Sequence, residues 1–144
     1  MNINYYATSQ IGNRDSNQDT TGALLGEQSA CFLVCDGVAG RPGGELAATL
    51  ARDTLLAQLD GNAALQPQQT AVLIENTEQA ITSVQRINPN FSQMSTTLAA
   101  LFIDRGSLQA WWVHDGDSRV YLFRRGGVHS VTRDHSLAQQ RQDA

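Results

Sequence analysis

The chain reads as an α+β domain. Strand-length segments open it, two stretches with a helical repeat fill its middle, and four short β-prone segments separated by turn residues follow. Strands and helices that come in groups rather than in alternation point to helices packed on a mainly antiparallel sheet, not to βαβ units. With 144 residues, 41% of them apolar, there is enough material for one compact unit and too little for two.

Asn2 to Ser9 alternates loosely and is expected to be a strand, and Gly12 to Asp19 is a polar loop rich in turn formers. Thr21–Leu25 is a short strand. Ser29–Cys35 is a continuous apolar run of strand length, broken by the glycine-rich Asp36–Gly44. From Glu45 to Leu59 the apolar residues recur at helical spacing, with Leu46, Leu50, Leu55, Leu56 and Leu59 as the expected buried stripe. A second helix is expected from about Pro67, suited to a first turn, to Ile87, burying Val72, Ile74, Ala80, Ile81 and Val84; Asn88-Pro89-Asn90 stops it. Thr96–Ile103, Leu108–His114, Ser118–Arg124 and Val128–Thr132 then read as an antiparallel meander joined by Asp-Gly and Gly-Gly turns. Asp134 to Ala144 resembles the first turns of a further helix.

Charge narrows the function. Ten basic against fourteen acidic residues leave a net charge of −4, which disfavours nucleic acid or an anionic membrane as the main partner. Every basic residue is Arg, so Schiff-base and P-loop lysine chemistry are excluded. No apolar run approaches the roughly 20 residues of a membrane span, and the N-terminus lacks a basic and an apolar region, so a cytoplasmic protein is expected. Cys31 and Cys35 fall on one face of a strand roughly 13 Å apart, too far for a disulfide, and are expected to be core thiols.

Two carboxylates stand out. Asp19 ends the polar loop and Asp36 ends the apolar strand, where a carboxylate is costly unless paired or metal-bound. Gly37 lets a backbone carbonyl turn inward, and carboxylates with a carbonyl make an all-oxygen site suited to Mg²⁺ or Mn²⁺. An Asp-Gly step after a strand is also ordinary turn chemistry, and on these residues alone both readings stand. Asp115-Gly116-Asp117 is a third acidic group, at a turn whose spacing does not match a calcium loop.

Gly12 to Asp19, Val34 to Gly40, the helix start Gly43-Gly44-Glu45, Ser95-Thr96-Thr97-Leu98, Gly116-Asp117-Ser118-Arg119 and Asp134-His135-Ser136-Leu137 together resemble, in the same order, the type-2C metal-dependent serine/threonine protein phosphatases of bacteria. The resemblance covers essentially the whole chain. It implies an α-β-β-α sandwich, of which residues 1–144 are the N-terminal portion of a single domain. It further implies two Mn²⁺ or Mg²⁺ ions bridged by Asp36, bound by the Gly37 carbonyl and neighboured by Asp19, with Asp117 reaching a third. Arg14 matches the residue that grips the substrate phosphate, so that Arg14, Asp19 and Asp36 carry the catalysis. Phosphorylated proteins, with a cognate kinase, are the implied partners, in a signalling role.

Departures from the family pattern matter as well. Gln18 stands where members commonly have Glu, Val38 where some have a histidine general acid, and Asp115 where an apolar residue is usual. His114, His129 and His135 are expected to be structural, and Ser118 and Arg119 to hold the turn. Family members continue past Asp-His-Ser-Leu to further aspartates that complete the metal site, so this chain is expected to be a catalytically incomplete fragment. A non-catalytic phosphatase-like binding module is the alternative. A nucleotide-phosphate loop at Gly37, Gly40 and Gly43 is disfavoured by its loose spacing and the absence of a lysine.

Overall fold

A computed structural model describes residues 2–14 and 16–135. Strands β1 (Asp19–Leu25) and β2 (Ser29–Asp36) form a hairpin; helices α1 (Gly44–Ala57) and α2 (Thr70–Ile87) follow; then come β3 (Leu98–Asp104), β4 (Gln109–Asp115), β5 (Tyr121–Arg124) and β6 (Gly127–Val131). The expected α+β arrangement is present. Four strands form one antiparallel sheet in the order β1-β2-β3-β4, whereas β5 and β6, among the described residues, form a separate two-stranded sheet. The expected single meander therefore breaks after β4: the chain leaves the sheet at the Asp115–Ser118 turn instead of folding straight back. Asn2–Ser9, expected as a strand, has no ladder partner among the described residues. It runs across the outward face of the sheet, where Tyr5 packs on Phe32 at 5.0 Å between ring centres. With Tyr6 and Tyr121 it borders an open cleft of about 720 Å³ over β1, β2 and β3. Most of the proposed C-terminal helix, residues 136–144, lies outside the described residues.

The core lies on the other face. Alternation along β2 and β3 turns Cys31, Leu33, Cys35, Leu98, Ala100 and Phe102 towards α1 and α2. Helix α1 meets them mainly through Ala47, Ala48, Ala51 and Leu55, whereas Leu46, expected in the buried stripe, is 38% exposed. Alanines in the first half of the helix let it lie close to the sheet there, while Leu55, Leu56 and Leu59 of the expected stripe pack on the core further along. In α2 the fully buried line is Thr70, Leu73 and Thr77; of the expected stripe, Ile74 and Ile81 pack against the core and Val72 is exposed. Polar bonds fix the two helices: Gln58 Nε2 donates to the carbonyls of Thr54 and Leu73, and Trp111 Nε1 donates to Thr70 Oγ1 at 2.9 Å, joining β4 to α2. Cys31 and Cys35 are free thiols in this core, and burial pushes both up to about 12, so neither is ionised at neutral pH.

Asp104, at the end of β3, is 6% exposed. It accepts from Leu65 N at 3.0 Å, from Ser107 N at 2.9 Å and from Ser107 Oγ at 2.6 Å. The Ser107 hydroxyl and these two amides hold its carboxyl below the usual range. Removing it strands buried amide donors. Asp104→Ala is expected to lower the melting midpoint by about 5 °C. The folded-state pKa being depressed, the stability that the parent draws from Asp104 is present above the unfolded pKa near 3.8 and fades as pH falls through the lower folded value. The variant's deficit should therefore shrink in acid, as thermal melts at pH 7 and pH 3 will read.

Candidate active site

A three-residue link, Gly26-Glu27-Gln28, closes the β1–β2 hairpin and sets a register in which Leu25 faces Ala30 and, at the open end, Asp19 faces Asp36. Facing residues on antiparallel strands project to the same side, and two carboxylates there repel. The two side chains lie close enough to hydrogen-bond when Asp36 is protonated, which favours its neutral form. Desolvation at the strand end, the bond and charge of Asp19 and the charge of Asp117 raise Asp36 to about 6, against the opposing pull of Arg14.

The polar loop before β1 supplies the remaining wall. Asn17 Oδ1 accepts the Asp19 amide at 3.0 Å, and Asn17 Nδ2 donates to Ser9 Oγ at 2.8 Å, so the loop arrives at β1 in a fixed turn. Arg14, Asn17, Gln18, Asp19, Asp36 and Gly37 line a cleft of about 110 Å³. Gly37 donates to the Gln18 carbonyl at 3.0 Å. Gln18 Oε1 is the one buried side-chain oxygen or nitrogen without a hydrogen-bond partner among the described residues. Such an oxygen is costly unless a water or ion meets it.

Asp117 sits on the turn after β4, which reaches the same end of the sheet. Gly116 has φ +98°, and Ser118 Oγ lies 2.5 Å from Thr97 Oγ1. Asp117 is near enough to raise Asp36, yet no group of three or more His, Cys, Asp or Glu side chains among the described residues is close enough to hold an ion. The structure thus brings Arg14, Asp19, Asp36 and Gly37 together and leaves Asp117 at electrostatic range. Arg119, on the far side of the turn, grips Asp134 through two bonds of 2.7 and 2.6 Å, and Asp134 is held below its usual range by that guanidinium. His135 donates its amide to the Gly116 carbonyl, faces Asp115 at 3.2 Å and stacks on His114. Ser118, Arg119 and two of the histidines therefore hold the turn, and Asp115 is accounted for by His135. Val38 is exposed. Thr97, within Ser95–Leu98, has a local pattern that nothing distinguishes from that of a strand threonine.

As donors, two carboxylates and a carbonyl suit hard divalent ions in kind, although not in number. No helix among the described residues is long and apolar enough to cross a membrane.

Known proteins resemble this chain in sequence and in fold. A Mycoplasma genitalium protein with a protein-phosphatase name is 30% identical over 137 residues, which are 88% of this chain and 52% of that protein. The serine/threonine protein phosphatase PstP of Mycobacterium tuberculosis is 33% identical over 144 residues, 95% of this chain and 26% of its own length. The catalytic domain of PstP solved in complex with two manganese ions superposes with a TM-score of 0.75 at 29% identity, covering 94% of this chain and 57% of that one. The chain thus spans about half the length of the first relative and of that catalytic domain. Residues 7–142 match the family model described as protein phosphatase 2C, and the chain belongs to that family.

Proposed function

We propose that this chain carries the N-terminal portion of a single type-2C phosphatase domain and that the cleft beside β1 and β2 is its active site. The observation that supports this most is the Asp19–Asp36 pair, two carboxylates facing each other on paired strands in one cleft with Arg14. In this reading Asp19, Asp36 and the Gly37 carbonyl hold Mn²⁺ or Mg²⁺, and Asp117 reaches a third ion. A bound ion pair supplies Lewis acidity, lowering the pKa of water and offsetting charge that develops on phosphorus. The chain's own residues do the rest. Asp19 and Asp36 would serve as anionic ligands to the ions, and Arg14 would present two parallel donors to two phosphate oxygens. The substrates are phosphoserine and phosphothreonine in proteins, set there by a cognate kinase, in cytoplasmic signalling.

The test is Mn²⁺-dependent hydrolysis of a phosphothreonine peptide by the chain extended to its natural stop codon. Inactivity of that protein, with folding confirmed, defeats the proposal. Arg14→Ala is expected to lower kcat/KM about 10- to 100-fold, the worth of charged hydrogen bonds to phosphate, while leaving a calorimetric Mn²⁺ titration unchanged. The alternative, a non-catalytic binding module, draws on Gln18 in place of an acid and on the absence of a third clustered ligand among the described residues. It predicts a flat Mn²⁺ titration.

A further inference from the structure

The β2–β3 ladder runs to Val34–Ala99, and the same register continues to a bridge between Gly37 and Thr96. Between them Asp36 faces Thr97, and this rung is redirected. Thr97 N donates to the Asp36 carbonyl at 2.9 Å, as a regular antiparallel rung requires. The reciprocal bond does not go to the Thr97 carbonyl, which instead accepts from Thr96 Oγ1 at 2.9 Å; the Asp36 amide donates to Thr97 Oγ1 at 3.1 Å. Regular pairing resumes at once, with Val38 N on the Ser95 carbonyl at 2.9 Å.

A hydroxyl has two lone pairs and one proton, so Oγ1 can accept from Asp36 and still donate. Ser118 Oγ lies 2.5 Å away, short for an O–H···O bond. The other branch of the side chain is engaged as well: a Cβ on Gly116 would fall 2.7 Å from Thr97 Cγ2, so the turn backbone rests against that methyl. A β-branched residue has few χ1 choices, and here both branches are occupied.

We propose that Thr97 is a positioning residue of the phosphatase site, holding the backbone of Asp36 and the turn that bears Asp117 at one fixed separation so that both carboxylates meet the same set of ions. The proposal rests on the reading that these two carboxylates serve divalent ions. It explains why one rung of an otherwise regular ladder is handed to a side chain at the position of Asp36: a carbonyl there would satisfy the amide but reach nothing beyond it.

The experiment uses the ¹⁵N-labelled chain, with amide exchange measured in chelator and Mg²⁺ then titrated while the Asp36 and Asp117 resonances are followed. In the parent both resonances are expected to follow one isotherm. Thr97→Val keeps the shape and removes the hydroxyl; exchange at Asp36 should quicken about five- to tenfold, and the Asp117 midpoint should move about five- to tenfold higher in Mg²⁺ than that of Asp36. Thr97→Ser should restore both. Ser118→Ala, which leaves the β2–β3 rung intact, should separate the two midpoints without quickening exchange at Asp36. The proposal is overturned if the parent responds to Mg²⁺ and Thr97→Val responds identically, or if Thr97→Ser fails to restore the coupling. A parent chain with no Mg²⁺ response marks failure of the metal-site reading itself, and the proposal goes with it.

Discussion

Asp36→Asn is expected to abolish divalent-ion binding and the activity that depends on it, about a thousandfold or more, and at the same time to make the metal-free chain more stable at neutral pH. The two effects have one cause. Asp36 faces Asp19 across the hairpin, and its pKa is raised to about 6 by desolvation, by that neighbour and by Asp117. A carboxyl whose folded pKa lies above its unfolded value favours folding fully below the unfolded value near 3.8, and the benefit is lost as pH rises through about 6. Metal-free, the parent is therefore penalised at pH 7.5 relative to pH 5. A rise from 3.8 to about 6 corresponds to about 3 kcal/mol if fully realised. Asp36 is exposed, however, and solvent screening brings the expected effect down to about 1 kcal/mol. Asparagine has no charge to lose, so urea unfolding in chelator should show the parent losing about 1 kcal/mol more than Asp36→Asn between about pH 3.5 and pH 7.5, about half of it above pH 5. Saturating Mn²⁺ should reverse the ranking at pH 7.5, because binding to the folded state stabilises only the chain that retains its ligands. Equal pH dependence in parent and variant, or Mn²⁺ stabilisation of the variant, would sink this account.

Much of this was legible in the residues, and the parts that were not share a physical reason. The strands of the main sheet and both helices follow from period and turn chemistry, and the motif order located Arg14, Asp19, Asp36 and Gly37. Even the opposition of Asp19 and Asp36 is implicit in a three-residue link, since a short hairpin leaves little freedom of register. Leu46 was misplaced because a stripe of large apolar residues marks a helix face only where the neighbouring surface leaves room; the start of α1 is buried through Gly44, Ala47, Ala48 and Ala51, and a large side chain, Leu55, enters the core only later. The β4–β5 meander failed because Asp115-Gly116 has the chemistry of a hairpin turn while its partners, Thr97 and His135, lie 18 or more residues away in sequence. Asn2–Ser9 alternates like a strand, but a ladder needs a second chain segment, which a local pattern cannot supply. Thr97 was invisible for the same reason: its role comes from a hydroxyl standing in for a carbonyl, a choice made only when three segments meet.

Gly37→Ala is expected to be the most damaging single-methyl change in the chain's candidate site, and the reason is space rather than backbone conformation. Gly37 is buried and has no positive φ. A Cβ there would stand 2.3 Å from the Gly44 carbonyl oxygen and 2.9 Å from the Gln18 carbonyl oxygen, both main-chain atoms that cannot swing aside. Moving β2 away from Gln18 breaks the 3.0 Å bond from the Gly37 amide, and moving Gly44 displaces the first turn of α1, whose alanines are packed on the sheet. Overpacking of this kind costs about 3 kcal/mol, a large part of a small domain's stability. The same shift carries the Gly37 carbonyl away from Asp36, so Mn²⁺ affinity should fall along with stability. Gly40→Ala is the control: Gly40 has φ +87° but nothing within 4 Å of an added Cβ, so only the conformational penalty applies, about 1 kcal/mol. Urea unfolding of both variants in chelator decides the matter. If Gly37→Ala costs no more than Gly40→Ala, the close approach of β2 to the α1 start is not what sets the carbonyl in place. If it costs about three times as much and loses Mn²⁺ affinity as well, the glycine is required because two backbone segments meet there with no room for a side chain.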